Sequence, residues 1–181
     1  MVVYYKVKWY NPKYIKNRGD NMNIGFYAGS FSPFTNGHLH VVKEASKLFD
    51  KVVIGIGINS RKTPRYDNEL MKGAIDLVLK RENLENVSVI IYNNLSADAA
   101  LEQGATALIR GIRNTMDYEY EEKMALINEE ISGLDTIYIR AGEFGNVSSS
   151  LVMELLEYGK DVSKFLPQEV NELVKSFHNS K

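Results

Sequence analysis

The chain has 181 residues, 44% of them hydrophobic, with 22 Lys plus Arg against 23 Asp plus Glu and no cysteine. That composition describes a globular domain long enough to bury one core, and it excludes a disulfide scaffold, a thiolate metal site and a catalytic cysteine. A formal net charge of −1 suits small anionic ligands better than nucleic acid, and no apolar run reaches the roughly 18–20 residues that cross a bilayer. With no membrane or nucleic-acid partner implied and no secretory signal at the N-terminus, the cytoplasm is the expected compartment.

The first 21 residues differ from the rest. They carry Lys6, Lys8, Lys13, Lys16 and Arg18 against Asp20 alone, and they hold the single Trp and four of the eleven Tyr. Val2 to Tyr10 has the bias of a short strand, and Asn11-Pro12 and Arg18 to Asn21 read as turn and linker. Residues 1–21 are therefore expected to be an extension, either a leader or a strand laid on a neighbour, and 22–181 the domain proper.

From Met22 onward, short apolar runs alternate with helical periods. Strands are predicted at Asn23–Ala28, Lys51–Ile58, Val87–Tyr92, Ala105–Ile109 and Thr136–Ile139. Helices are predicted at His38–Phe49, Asp67–Arg81, Ala97–Gln103, Met116–Ile131, 148–158 and 167–177. Leu39, Val42, Ala45 and Phe49 recur at helical spacing in the first of these helices, with Asn36 or Thr35 as its N-cap. Strands alternating with helices imply a doubly wound, Rossmann-like parallel sheet of five strands with helices on both faces. Ligands in such a sheet bind beyond the carboxyl ends of the strands, where the strand order reverses. The loops after each strand are thus the places to look.

The loop after the first strand runs Gly29-Ser30-Phe31-Ser32-Pro33-Phe34-Thr35-Asn36-Gly37-His38. Its glycine spacing fits neither a Walker loop nor GxGxxG, which removes P-loop hydrolysis and dinucleotide redox chemistry. A glycine turn and a Gly-His pair at a helix start instead offer backbone N–H groups and the positive end of the helix dipole to an anion. His38 in that first turn serves as a helix cap or as a donor to the anion.

Thr35-Asn36-Gly37-His38 resembles the T/HxGH signature of the nucleotidylyltransferase superfamily. Ile109 to Asn114, Asp117 to Glu121, Val147 to Val152 and Lys164 to Pro167 together resemble one branch of it, the phosphopantetheine adenylyltransferase family, over Met22 to about Lys175. That resemblance implies AMP transfer from ATP to 4′-phosphopantetheine, giving dephospho-CoA and pyrophosphate in coenzyme A synthesis. It further implies Mg²⁺ carried with ATP, CoA or dephospho-CoA as product or feedback ligand, and a homohexamer.

By the same resemblance His38 is the transition-state stabiliser. Ser30, Lys62, Ser96 and Arg110 hold the phosphopantetheine. Ser30, Phe31, His38, Gly111, Ile112, Arg113, Glu121 and the stretch Phe144, Gly145, Asn146, Val147, Ser148, Ser149, Ser150 contact ATP. Read without the resemblance, Lys62 could be one cation of a solvated basic loop, Arg113 could pair with Asp117 one turn on, and Ser148–Ser150 could simply cap a helix. The sequence departs from the family pattern at Ser32, where an Asp is usual, at Asn59–Pro64, which lacks paired lysines, and at Gly145-Asn146. A related transferase with another acceptor, either a nicotinate mononucleotide adenylyltransferase or a cytidylyltransferase, is the alternative enzyme. A nucleotide- or CoA-binding module without turnover is the alternative of a different class.

Overall fold

The computed structural model describes residues 22–58 and 65–178. Within them a five-stranded parallel sheet is formed by β1 (Ile24–Gly29), β2 (Lys51–Gly57), β3 (Val87–Tyr92), β4 (Ala107–Ile112) and β5 (Asp135–Arg140), in the spatial order β3-β2-β1-β4-β5. The connecting helices are α1 (Asn36–Leu48), α2 (Asn68–Arg81), α3 (Ser96–Glu102), α4 (Thr115–Ser132), α5 (Ser149–Glu157) and α6 (Gln168–His178). Two single turns of 3₁₀ helix, Gly142–Phe144 and Ser163–Phe165, were not expected from the sequence.

The strand pattern follows from burial on both faces, which calls for near-continuous apolar runs. Along β2, Val52, Ile54 and Ile56 join a larger core with α1, α2, α5 and α6, whereas Val53 joins a smaller one with α3. Phe26 and Leu108 face the smaller core, and Tyr27 and Ile109 the larger. Helices thus cover both faces. Burying each of the fully enclosed side chains Phe26, Ile54, Ile56, Ile75, Leu108 and Ile109 contributes about 1.5–3 kcal/mol.

Two expectations need correction. The first helix begins at Asn36 with Thr35 as its N-cap, because the Thr35 hydroxyl accepts from the His38 N–H in a reciprocal capping box. The fourth strand runs from Ala107 to Ile112, not 105–109, so Arg110, Gly111 and Ile112 lie inside it. Its ladder with β1 starts at Ala107↔Gly25, and its ladder with β5 continues to Ile112↔Arg140. That second ladder carries the strand past Gly111, where propensity alone would have ended it. Lys62 and the 1–21 extension lie outside the described residues.

Candidate active site

The strand order reverses between β1 and β4, and the carboxyl ends of these two strands open onto a cleft of about 560 Å³. Its floor is Tyr27, Ala28 and Gly29 of β1 with Arg110 and Gly111 of β4. One wall is the start of α1 with Thr35, Gly37 and His38, and the opposite one is Arg113 with Asp117, Tyr120 and Glu121 of α4. Val147 to Ser150 close it. The N-termini of α1 and α5 therefore both face one cavity, a pairing of positive dipole ends suited to a polyphosphate.

A second hollow of about 520 Å³ adjoins the first and shares Ala28, Gly29, Arg110 and Tyr120 with it. Ser30, Ser96, Tyr92, Asn94, Gly57 and Ile58 complete its lining, and the Ser96 hydroxyl is 2.8 Å from that of Tyr92. Arg110 stands between the two hollows. Its Nη1 donates to the Ala28 carbonyl at 2.9 Å and its Nε pairs with the Glu121 carboxylate at 3.2 Å, which holds the guanidinium across the switch point.

His38 is held as firmly. The Thr35 backbone N–H donates to its Nδ1 at 3.0 Å. An Nδ1 that accepts carries no proton, so the neutral ring bears its hydrogen on Nε2. The rings of Phe31 and Phe34 lie 5.1 and 5.6 Å from the imidazole. Burial, and to a lesser extent the nearby Arg113 charge, together lower its pKa to about 4. His38 is thus both helix cap and a neutral Nε2–H donor.

The remaining site residues divide by use. Arg113 forms a two-pronged pair with Asp117, Nε and Nη2 lying 2.6 and 2.9 Å from its two oxygens. Ser148 caps α5 by accepting from Leu151 N–H at 3.0 Å, and Ser149 donates to the Pro33 carbonyl at 2.8 Å, tying α5 to the β1–α1 loop. Ser150 is exposed on the cleft, and its hydroxyl has no hydrogen-bond partner among the described residues. Phe31 lines the cleft with a left-handed φ of 44°, a backbone region that a bulky residue occupies only when its surroundings enforce it.

Ile112, Phe144, Gly145 and Asn146 are not among the described lining residues. Ile112 offers its carbonyl to Ala141 N–H at 2.9 Å, and Phe144 packs on His40 with ring centres 5.7 Å apart. Sequence reasoning passed over Tyr27, Tyr92, Asp117 and Tyr120 as site residues. For Asp117 and Tyr120 a signal existed: with Glu121 they fall at helical spacing on one face of α4, and Asp117 stands four residues after Arg113.

A doubly wound sheet whose switch point carries a capped histidine, two arginines and two helix N-termini defines a nucleotidyltransferase of the cytidylyltransferase-like class, and that family's model matches residues 26–155. A nicotinic acid mononucleotide adenylyltransferase from Plasmodium falciparum, solved with NaAD, has the same fold at a TM-score of 0.66 and 14% identity, covering 89% of this chain and 99% of that one. The phosphopantetheine adenylyltransferase of Lachnoclostridium phytofermentans is 38% identical over 162 residues, 88% of this chain and 98% of the relative. That of Porphyromonas gingivalis is 41% identical over 147 residues, 81% and 95% of the two chains. The chain belongs to the phosphopantetheine adenylyltransferase family.

Proposed function

We propose that this chain transfers AMP from ATP to 4′-phosphopantetheine, releasing pyrophosphate and forming dephospho-CoA. The carrying observation is the pair of adjoining hollows that meet at Arg110, one bordered by two helix N-termini and the other lined by Ser30, Ser96 and Tyr92. Two anionic substrates need just such a division, with a cation at the junction. In the transfer, an oxygen of the acceptor phosphate attacks the α-phosphorus of ATP, that P–O bond forms, and the bond to the oxygen bridging to the β-phosphate breaks with pyrophosphate as leaving group. A phosphate monoester has a second pKa of about 6 and is already a nucleophile at neutral pH, so no side chain needs to remove a proton.

His38 supplies the stabiliser. Its Nε2–H would donate to an α-phosphate oxygen as charge grows there, and the lowered pKa keeps the ring in that neutral form across the neutral range. Arg110 would grip the acceptor phosphate with Ser30, and Lys62 would join them. Ser96 would touch the pantetheine arm, while Phe31, Gly111, Arg113 and residues 147–150, which line the cleft, would surround the nucleotide. Mg²⁺ would travel with ATP, held by its phosphates and by water, and would neutralise charge on the triphosphate. The carboxylates lining the cleft, Asp117 and Glu121, already face arginines, which fits an ion carried by the substrate better than one caged by protein.

A cytoplasmic homohexamer with CoA or dephospho-CoA as feedback or product ligand completes the proposal. The exposed Met116, Tyr120, Leu126, Ile127 and Ile131 of α4 and Ile137 of the edge strand β5 offer the apolar surface that contact between copies would cover. Incubating the purified chain with ATP, Mg²⁺ and 4′-phosphopantetheine, while following pyrophosphate and dephospho-CoA, tests the reaction. Turnover that requires both substrates and a divalent ion is expected. Pyrophosphate release with nicotinate mononucleotide and none with phosphopantetheine would overturn it.

A further inference from the structure

Helix α4 presents two carboxylates one turn apart, and each takes hold of a different arginine of the β4 segment. Asp117 binds the Arg113 guanidinium through both oxygens and also lies 3.3 Å from the Arg113 backbone N–H. Its own N–H is capped by Asn114 at 3.0 Å. Glu121 meets Nε of Arg110, whose Nη1 is pinned to the Ala28 carbonyl. Arg113 lines the nucleotide cleft alone, whereas Arg110 lines both hollows.

We infer that Asp117 and Glu121 are positioning residues with separate substrates: Asp117 aims Arg113 at ATP, and Glu121 aims Arg110 at the acceptor phosphate. The resemblance to the family makes Glu121 an ATP contact, and nothing in it gives Asp117 a role. The geometry assigns both carboxylates to the arginines. An arginine on a free side chain loses rotamer entropy when it captures a phosphate. One already held through Nε by a carboxylate has lost it beforehand and still presents its remaining N–H groups to the ligand. The carboxylate must stay engaged for this to work, because a bare acid facing the cleft would repel the phosphates.

The inference rests on the adenylyl-transfer reading, and its test separates the two. Asp117→Asn and Glu121→Gln are made in the full chain, alone and in Arg113→Ala and Arg110→Ala backgrounds, with KM measured for each substrate and ATP binding measured by calorimetry. Asp117→Asn should raise the KM and Kd for ATP about five- to tenfold, as expected for loss of a charge-assisted pair, and leave the acceptor KM within about twofold. Glu121→Gln should do the reverse. Each effect should vanish when the partner arginine is already absent, the signature of a residue acting through another.

A full ATP effect of Glu121→Gln that persists in the Arg110→Ala background would make Glu121 a direct nucleotide contact and overturn its assignment. Asp117→Asn that leaves ATP binding unchanged, or tightens it, would overturn the other half. If the wild-type chain adenylylates a different phosphate monoester, the functional reading fails, and the same cycles run with that acceptor still decide the positioning roles. Unchanged thermal midpoints exclude simple unfolding of the variants, and Asp117→Glu, which keeps the charge, should recover most of the ATP affinity.

Discussion

His38 uses Nδ1 to hold the start of α1 and keeps Nε2–H for the cleft, so replacing it should affect both fold and rate. His38→Ala should lower kcat by roughly 10²–10³, the range for loss of a donor aimed at transition-state charge, as measured by steady-state pyrophosphate release. Unchanged kcat would reduce His38 to a cap. The imidazole has a second consequence because its pKa falls from 6.5 to about 4 on folding, chiefly through burial. Above pH 6.5 both states are neutral and the shift contributes nothing. Below it the unfolded chain binds a proton that the folded one refuses, so stability falls as the pH drops from 6.5 towards 4 and levels off beneath. Urea titrations of wild type and His38→Gln should therefore diverge in that window, and curves that stay parallel would contradict the assignment. Arg110→Ala should chiefly raise the acceptor KM, because a grip made equally in ground and transition states is uniform binding. A rise confined to the KM for ATP would show that it serves the wrong hollow.

At the scale of elements, the site depends on how closely α1 lies against β4. A Cβ on Gly111 would stand 2.9 Å from Cγ2 of the fully buried Val41 and 3.2 Å from the Tyr27 hydroxyl. Neither neighbour has room to yield, since Val41 is β-branched and helical and Tyr27 is enclosed. Gly111→Ala should cost about 1–3 kcal/mol by overpacking and push β4 away from α1, misaligning Arg110 and Arg113 together. A thermal melt checks the first part and the two KM values the second; a melt at the wild-type midpoint would mean that the contact relaxes freely. Helix α5 is tied in differently, through Ser148 as its cap and Ser149 onto the Pro33 carbonyl. Two of the three serines therefore brace α5 and the β1–α1 loop beside the cleft, and Ser150 is the one whose hydroxyl is unengaged among the described residues.

For the whole molecule, α4 is the telling element, because Asn128 alone among its residues is buried. A helix so exposed that also carries Met116, Leu126, Ile127 and Ile131 outward is incompletely covered within one chain. Light scattering should return the hexameric multiple of the 20.5 kDa chain mass; the monomer mass alone would reject the assembly. Every described residue lining the two hollows lies between Tyr27 and Ser150. A chain starting at Met22 should accordingly keep kcat/KM within about twofold, the value expected if the transition state takes its groups from those lining residues. A folded, hexameric truncation that loses most of its activity would show that the extension reaches the site.

The order of strands and helices, the Gly-His helix start and the arginines around Gly111 were legible in the sequence because each is local: apolar periodicity, a cap and a short motif are written within a few neighbouring residues. The end of β4 was not, because pairing with β5 decided it, and that ladder joins residues about thirty positions apart. Nor did the sequence contain the sheet order that sets β1 beside β4 and brings Arg110 to the Ala28 carbonyl. It offered Asp117 as a partner for Arg113, one turn on, but gave none for Glu121. The Arg113–Asp117 pair is local, four residues apart, whereas only the packing of α4 against the sheet decided that Glu121 would engage Arg110, because a charged pair forms where tertiary geometry leaves donor and acceptor facing each other.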